Sequence, residues 1–200
     1  MSRRPADGLS AHLRRFSRDE GGVYAVEFAF FGTLLVILVM VLLQYAIVFL
    51  ARQNLDNAMQ VAKRSLLTGN FQKANAGSTD QAKILSAFRA QMCGTSAALA
   101  IFYTCDNLKV DVQVSGTFNP SSSSGSAVDG STGDWTKGFG TTYVCPSPQS
   151  IAVVRAAVKL PLFVPMFNLG FPGFSGNAAL LQSAAVFRVE PYQGGSAGTC

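Results

Sequence analysis

The sequence predicts an α+β protein: a long N-terminal helix, apolar first and amphipathic later, packed on a small antiparallel sheet with a short second helix. Three observations carry that expectation. From Phe28 to Ala51 no residue is charged, a run longer than the roughly 20 residues that cross about 30 Å of hydrocarbon. Apolar residues keep helical spacing beyond that run, at Leu55, Met59, Ala62 and Leu66. Farther on, apolar or alternating stretches bounded by Ser, Gly and Pro read as strands.

The elements follow in chain order. Residues 1–22 form a basic leader on the cytoplasmic side, of which the polar, Arg-rich residues 1–20 are expected to be unstructured, with the helix beginning near Gly22. Residues 23–51 are the candidate transmembrane helix, with Gln44 as its one strong polar interruption. Residues 52–69 extend it as an amphipathic spine, with Arg52, Asp56, Lys63 and Arg64 off the apolar stripe, and Gly69-Asn70 supplies a C-cap. Residues 70–200 make an extracytoplasmic α+β domain. Ser78-Thr79-Asp80 offers cap side chains for a short helix whose stripe is Leu85, Phe88 and Met92, ending near Cys93-Gly94. Asn107 to Val114 alternates strictly, Leu108, Val110, Val112 and Val114 against Lys109, Asp111 and Gln113, which predicts a half-buried strand. Ile151–Leu160 and Leu180–Val189 are two further strands, the latter with Leu181, Ala185, Phe187 and Val189 on one face.

Between the first two strands, residues 115–148 are rich in Ser and Gly and read as a mobile surface loop, with Trp135 as its anchor. The stretch PLFVPMFNLGFPGFSG, from Pro161, is too broken by Pro and Gly to be a strand throughout. It reads either as a loop over the core or as an apolar patch for a partner subunit or a membrane surface. Polar substitution of Phe167 and Phe171 separates these, since core residues govern stability and interface residues only assembly.

Charge placement excludes one function class. The sequence pI of 9.2 is basic, but residues 1–22 hold five Arg against three acids, and Arg52, Lys63 and Arg64 follow the span. From Asn70 onward eight basic and six acidic side chains are scattered singly. No basic stripe with interleaved aromatics exists, so no nucleic-acid partner is expected. With Arg3 and Arg4 counted, the positive-inside bias leans toward a cytoplasmic N-terminus.

The four cysteines, Cys93, Cys105, Cys145 and Cys200, all follow the span, which fits two disulfides in an oxidising compartment. Cys93–Cys105 and Cys145–Cys200 are the favoured pairs, although three pairings are open. Zinc bound by four Cys needs short paired spacings that are missing, so no metal and no cofactor is expected. The single histidine, His12, lies in the leader, which leaves no Ser/His or Cys/His pair beyond the span. Asp106 and Asp111 are a close acid pair there, and a straight strand sends them to opposite faces. These residues do not assemble an enzyme.

The chemistry instead concentrates at RDEGGVYAVEFAF. Glu27 opens the apolar run, where a charge costs less than at the helix centre and a first-turn position interacts favourably with the helix dipole. Gly22–Val23 separates the basic leader from that run. A cut there leaves the span attached, unlike an ordinary secretory signal.

This arrangement resembles the type IV pilin-like proteins, and within them the TadE-like pseudopilins of tight-adherence (Flp) pilus systems. The AVEF core followed by a span carries the resemblance, together with LARQNLDNAMQVAKRSLLTG beyond the membrane and the closing AAVFRVEPY. It is strong over about residues 14–70. It implies a pilin-like fold and cleavage by a prepilin peptidase after Gly22, with Val23 as the new N-terminus and Glu27-Phe28 as the Glu–aromatic pair used in subunit assembly. It also implies a bacterial inner-membrane, single-pass protein with a periplasmic C-terminal domain. Its role would be that of a minor subunit priming an adhesive pilus, with other pilin-like subunits and inner-membrane assembly proteins as partners. The alternatives are an unprocessed single-pass protein of the same apparatus, or a tethered binding domain or enzyme.

Overall fold

A computed structural model of the chain describes residues 21–94, 104–118, 125–163, 173–192 and 200. In chain order the elements are helices α1 (Gly21–Leu67), α2 (Asn70–Ala74) and α3 (Gln81–Gly94), then a 3-10 turn, Cys105–Asn107. The strands follow: β1 (Leu108–Ser115), β2 (Val128–Asp129), β3 (Asp134–Trp135), β4 (Ile151–Pro161), β5 (Gly173–Phe174) and β6 (Ala178–Arg188). The fold is α+β, as the hydrophobic patterning predicts. Two compact units divide between Leu43 and Gln44.

The described part of the first unit is the start of α1, residues 21–43. It is long and apolar enough, with its continuation, to cross a membrane. Its large side chains are exposed, Phe28 to 80%, with Val41 half-buried. Thr33 returns its hydroxyl to the Ala29 carbonyl at 2.6 Å, which satisfies it within the helix itself. The leader, residues 1–20, lies outside the described residues.

The second unit, residues 44–200, is the head. Burial of α1 begins at Gln44 and continues through Val48, Ala51, Leu55, Ala58, Met59, Ala62 and Leu66, one side chain per turn or better. The packed face therefore starts inside the stretch 23–51 assigned from hydropathy to the membrane. Hydropathy could not separate the two because Val48 and Ala51 are as apolar as lipid-facing residues.

Gly69 then stops α1 with φ 71°, a left-handed conformation that glycine adopts freely. A Cβ added there meets the Tyr192 ring at 2.4 Å. The chain turns at once into the short α2, which periodicity did not suggest. Its Phe71 packs edge-on to Phe88 of α3, ring centroids 5.1 Å apart. α3 begins as expected: Asp80 Oδ1 accepts from the Ala82 and Lys83 amides at 3.0 and 3.2 Å. Ile84, Leu85, Phe88 and Met92 form its buried stripe.

The main sheet has the order β1-β4-β6-β5, with antiparallel neighbours. Val112, Val154 and Ala185 stand in register across β1, β4 and β6, and that face joins the stripes of α1 and α3 in one core. Val114, expected on this face, is exposed on the edge strand β1, although Ala152 opposite it is buried in the core.

The opposite sheet face departs from the half-buried expectation. The stretch read as a mobile loop carries the β2–β3 hairpin, which folds over β4 and buries Ala127, Phe139 and Ala157. Trp135 acts as the anchor, stacked on Phe139 at 5.8 Å and edge-on to Phe174 at 4.6 Å. Farther along, Tyr143 bridges in parallel to Val112 and enters the main core. Of this stretch, residues 119–124 lie outside the described residues, as do 164–172 with Phe167 and Phe171.

The closeness of Gly69 to Tyr192 gives a quantitative expectation. Gly69→Ala imposes both left-handed strain and a ring clash and should lower head stability by about 2 kcal/mol or more. Combining it with Tyr192→Ala should recover the clash part alone, so the two changes are non-additive in urea denaturation.

Candidate functional site

The residues singled out at the N-terminus lie on one helix. Gly21 and Gly22 are both helical, on the same helix as Val23 and Glu27. Added Cβ atoms at Gly22 meet nothing within 4 Å. The glycine therefore answers no packing demand, and it weakens the helix by about 1 kcal/mol relative to alanine.

Glu27 is exposed amid exposed Tyr24, Val26, Phe28, Phe30 and Phe31. Among the described residues it has no hydrogen-bond or ion-pair partner. The next charged residue along α1 is Arg52, at the far end of the apolar run. Gln44, the polar interruption of the apolar run, is buried at the head boundary rather than left in the exposed stretch.

The head is closed by the cysteines. Cys93 pairs with Cys105, closing a separation of 12 residues between α3 and the 3-10 turn, and Cys145 pairs with Cys200 across 55 residues. These are the two pairs favoured from the sequence. The second pair joins a clasp over the end of α1. The Glu190 amide donates to the Leu67 carbonyl at 3.0 Å, the Gly77 amide to the Cys200 carbonyl at 2.6 Å, and the Tyr192 hydroxyl to the Pro146 carbonyl at 2.8 Å.

Asp106 and Asp111 do not meet. Asp106 is exposed in the 3-10 turn, whereas Asp111 is buried on the hairpin side of β1. Its Oδ1 accepts from the Gly140 and Thr142 amides at 2.9 and 3.1 Å, so the carboxylate fastens a loop rather than serving chemistry. Basic side chains on the same sheet face sit over aromatic rings: Lys109 over Trp135 at 5.2 Å, Arg155 over Phe139 at 5.1 Å and Lys159 over Phe174 at 4.8 Å. Alternation had assigned this face to solvent. Among the described residues no three His, Cys, Asp or Glu gather as a metal site.

Two phenols titrate abnormally. Burial, with the charge of Tyr192 second, pushes Tyr143 far above the ordinary tyrosine value, and burial also raises Tyr192. In contrast, hydrogen bonds from the Ser131 hydroxyl and amide hold the exposed Asp129 below the usual carboxylate range.

Residues 22–64 match the family described as TadE-like protein, which bears out the resemblance read from the AVEF core. Neither a curated protein nor a solved structure matches the chain.

Two expectations follow for the head. Loss of the Cys145–Cys200 bond by paired Ser substitution should cost about 4 kcal/mol, against about 3 kcal/mol for Cys93–Cys105, because the longer loop restrains the unfolded chain more. Urea midpoints of the two double variants measure the difference. The raised tyrosines predict alkaline weakening: their contribution is complete below about pH 10 and declines as the unfolded phenols ionise first. Tyr143→Phe should flatten that decline in midpoints measured across the alkaline range.

Proposed function

We propose that this chain, TadE-like over residues 22–64, is a minor pilin-like subunit. A prepilin peptidase trims it after Gly22, and it serves assembly of an adhesive Flp-type (Tad) pilus. It is anchored in the bacterial inner membrane by α1, with the leader in the cytoplasm and the disulfide-closed head in the periplasm. Its partners are other pilin-like subunits and the inner-membrane assembly proteins. The role is structural and interactive rather than catalytic.

The observation that carries this reading is Glu27, a charged side chain with no partner among the described residues, on a helix whose surroundings are apolar. Cleavage between Gly22 and Val23 creates an α-amine with a reference pKa of about 7.7–8.0, mostly protonated near neutrality. Two such helices packed side by side with an axial stagger bring the amine of one to the carboxylate of the next. Opposite charges about 4 Å apart attract by roughly 4 kcal/mol at an effective dielectric near 20, before desolvation is subtracted. The net gain is small, but the register is strict, because a subunit out of step leaves a carboxylate in hydrocarbon.

The two glycines support the cut as well. Peptidases take extended substrate, and a helical stretch of two glycines unwinds more cheaply than any other pair bar proline. The size of the head favours a minor subunit over a filament protein that is little more than helix.

N-terminal mass spectrometry tests this directly. Protein from cells with the peptidase should begin at Val23, and protein from cells without it should retain the leader. Recovery of the intact leader in both removes the pilin reading. Glu27→Ala should be cleaved normally yet abolish piliation, so wild-type piliation by that variant counts against the charge pairing.

A further inference from the structure

We infer that the end of the head where α1 enters it is seated in the lipid interface, with Tyr45, Phe49, Leu50 and Phe163 touching headgroups and upper acyl chains. The inference rests on the membrane-span reading above and adds a second lipid contact, made by the folded domain itself.

Length is the first argument. Glu27 marks one edge of the apolar stretch and Arg52 the other. Between Glu27 and the first buried residue, Gln44, the helix from Phe28 to Leu43 extends about 24 Å. The hydrocarbon layer is about 30 Å thick. The shortfall corresponds to about four more residues at 1.5 Å each, which reach Ile47, already inside the head. Drawing Glu27 inward or thinning the bilayer are the other remedies, and both are unfavourable.

The second argument is which part of the head stands beside those residues. At the far end, the Glu190 amide donates to the Leu67 carbonyl at 3.0 Å, and Lys63 Nζ lies 6.0 Å from the Phe187 ring centroid. α1 and β6 thus run together in the same direction. The buried stripe from Gln44 to Leu66 is about 33 Å long, and an 11-residue strand such as β6 extends by a similar distance, about 33–36 Å. With α1 and β6 side by side over that whole length, the start of β6 would lie level with Gln44. Its partner there is Pro161, the last residue of β4. Phe163 stands two residues beyond.

The surface at this end has the chemistry of an interface. Tyr45, Phe49, Leu50 and Phe163 are 37%, 59%, 50% and 74% exposed. Tyrosine is enriched where headgroups meet hydrocarbon. Over residues 44–52 and 159–163 the charged side chains are Arg52 and Lys159, with no acid, which suits the phosphates of anionic lipid. The lipid surface rather than a second copy is the occupant because the chain itself delivers this end to the membrane: Gln44 follows the last residue of the exposed stretch.

Site-directed tryptophan fluorescence in vesicles tests the seating. The single tryptophan is replaced by Trp135→Phe, and Leu35→Trp, Phe49→Trp, Phe163→Trp and Val61→Trp are made singly in that background of the full chain. Each is reconstituted at low protein-to-lipid ratio in phosphatidylethanolamine–phosphatidylglycerol vesicles, with and without lipid brominated high on the acyl chain. Phe49→Trp and Phe163→Trp should emit to the blue and lose intensity in brominated vesicles, as expected for insertion about 5–10 Å into the boundary. Val61→Trp, far along α1, should keep its intensity. An indole at 163 that is unquenched overturns the seating, including one that is blue-shifted through protein contact. Equal quenching at Val61→Trp overturns it too, since the head then lies flat. Leu35→Trp separates the two readings: quenching there alone sinks this inference and leaves the span, whereas its absence sinks both.

Discussion

One continuous helix of 47 residues has to be stable in two solvents, and the change between them constrains everything else. Between Phe28 and Leu43 the side chains of α1, Thr33 apart, are apolar on every face, which suits hydrocarbon, where backbone groups must be satisfied within the helix. From Gln44 onward apolar residues narrow to one stripe, because the remaining circumference meets water. The head exists to cover that stripe. Its main sheet and α3 supply the apolar surface, and Ala51, Ala58 and Ala62 on α1 lie in the same core as Ala152, Ala156, Ala179 and Ala185 on the strands. Small residues on both sides let a helix lie close to a sheet without leaving a void.

Holding the helix there requires more than apolar burial, because the end of α1 has unsatisfied carbonyls and a change of direction to accommodate. The clasp of residues 190–192 and 200 answers both needs. Leu67 gives its carbonyl to Glu190, Tyr192 fills the space that the missing Gly69 side chain leaves, and Cys200 returns the chain to Cys145. The Cys145–Cys200 pair is thus part of the packing at the end of α1. Tyr143 stands beside this disulfide, its hydroxyl 3.9 Å from Cys200 Sγ, and its ring joins Phe71 and Phe88 at the centre of the core.

Much of this was legible because periodicity and burial coincide. The α1 stripe, the Asp80 cap with its Leu85-Phe88-Met92 face, and the alternation of β1 all predicted elements that form. The outer layer was missed, although β4 signalled it. Ile151 to Leu160 does not alternate, and a strand apolar on both faces is a strand buried on both faces. The hairpin that covers it was hidden by composition, since its burial rests on a few residues, Ala127, Val128, Trp135 and Phe139, among many Ser and Gly. Asp111 could not be read as buried either, because its partners are backbone amides about thirty residues away that carry no sequence signature. Glu27 was legible for the opposite reason: it is conspicuous through what surrounds it in sequence, and the fold gives it no partner among the described residues.

The assignment of work between the two halves of α1 is the central claim, and the folding of the head without the first half tests it most directly. Residues 44–200, made with their disulfides and kept in detergent-free buffer, should unfold cooperatively in urea with the midpoint of the intact chain's head in micelles. A fragment that lacks a cooperative transition, or recovers one only when residues 21–43 are restored, would contradict the account.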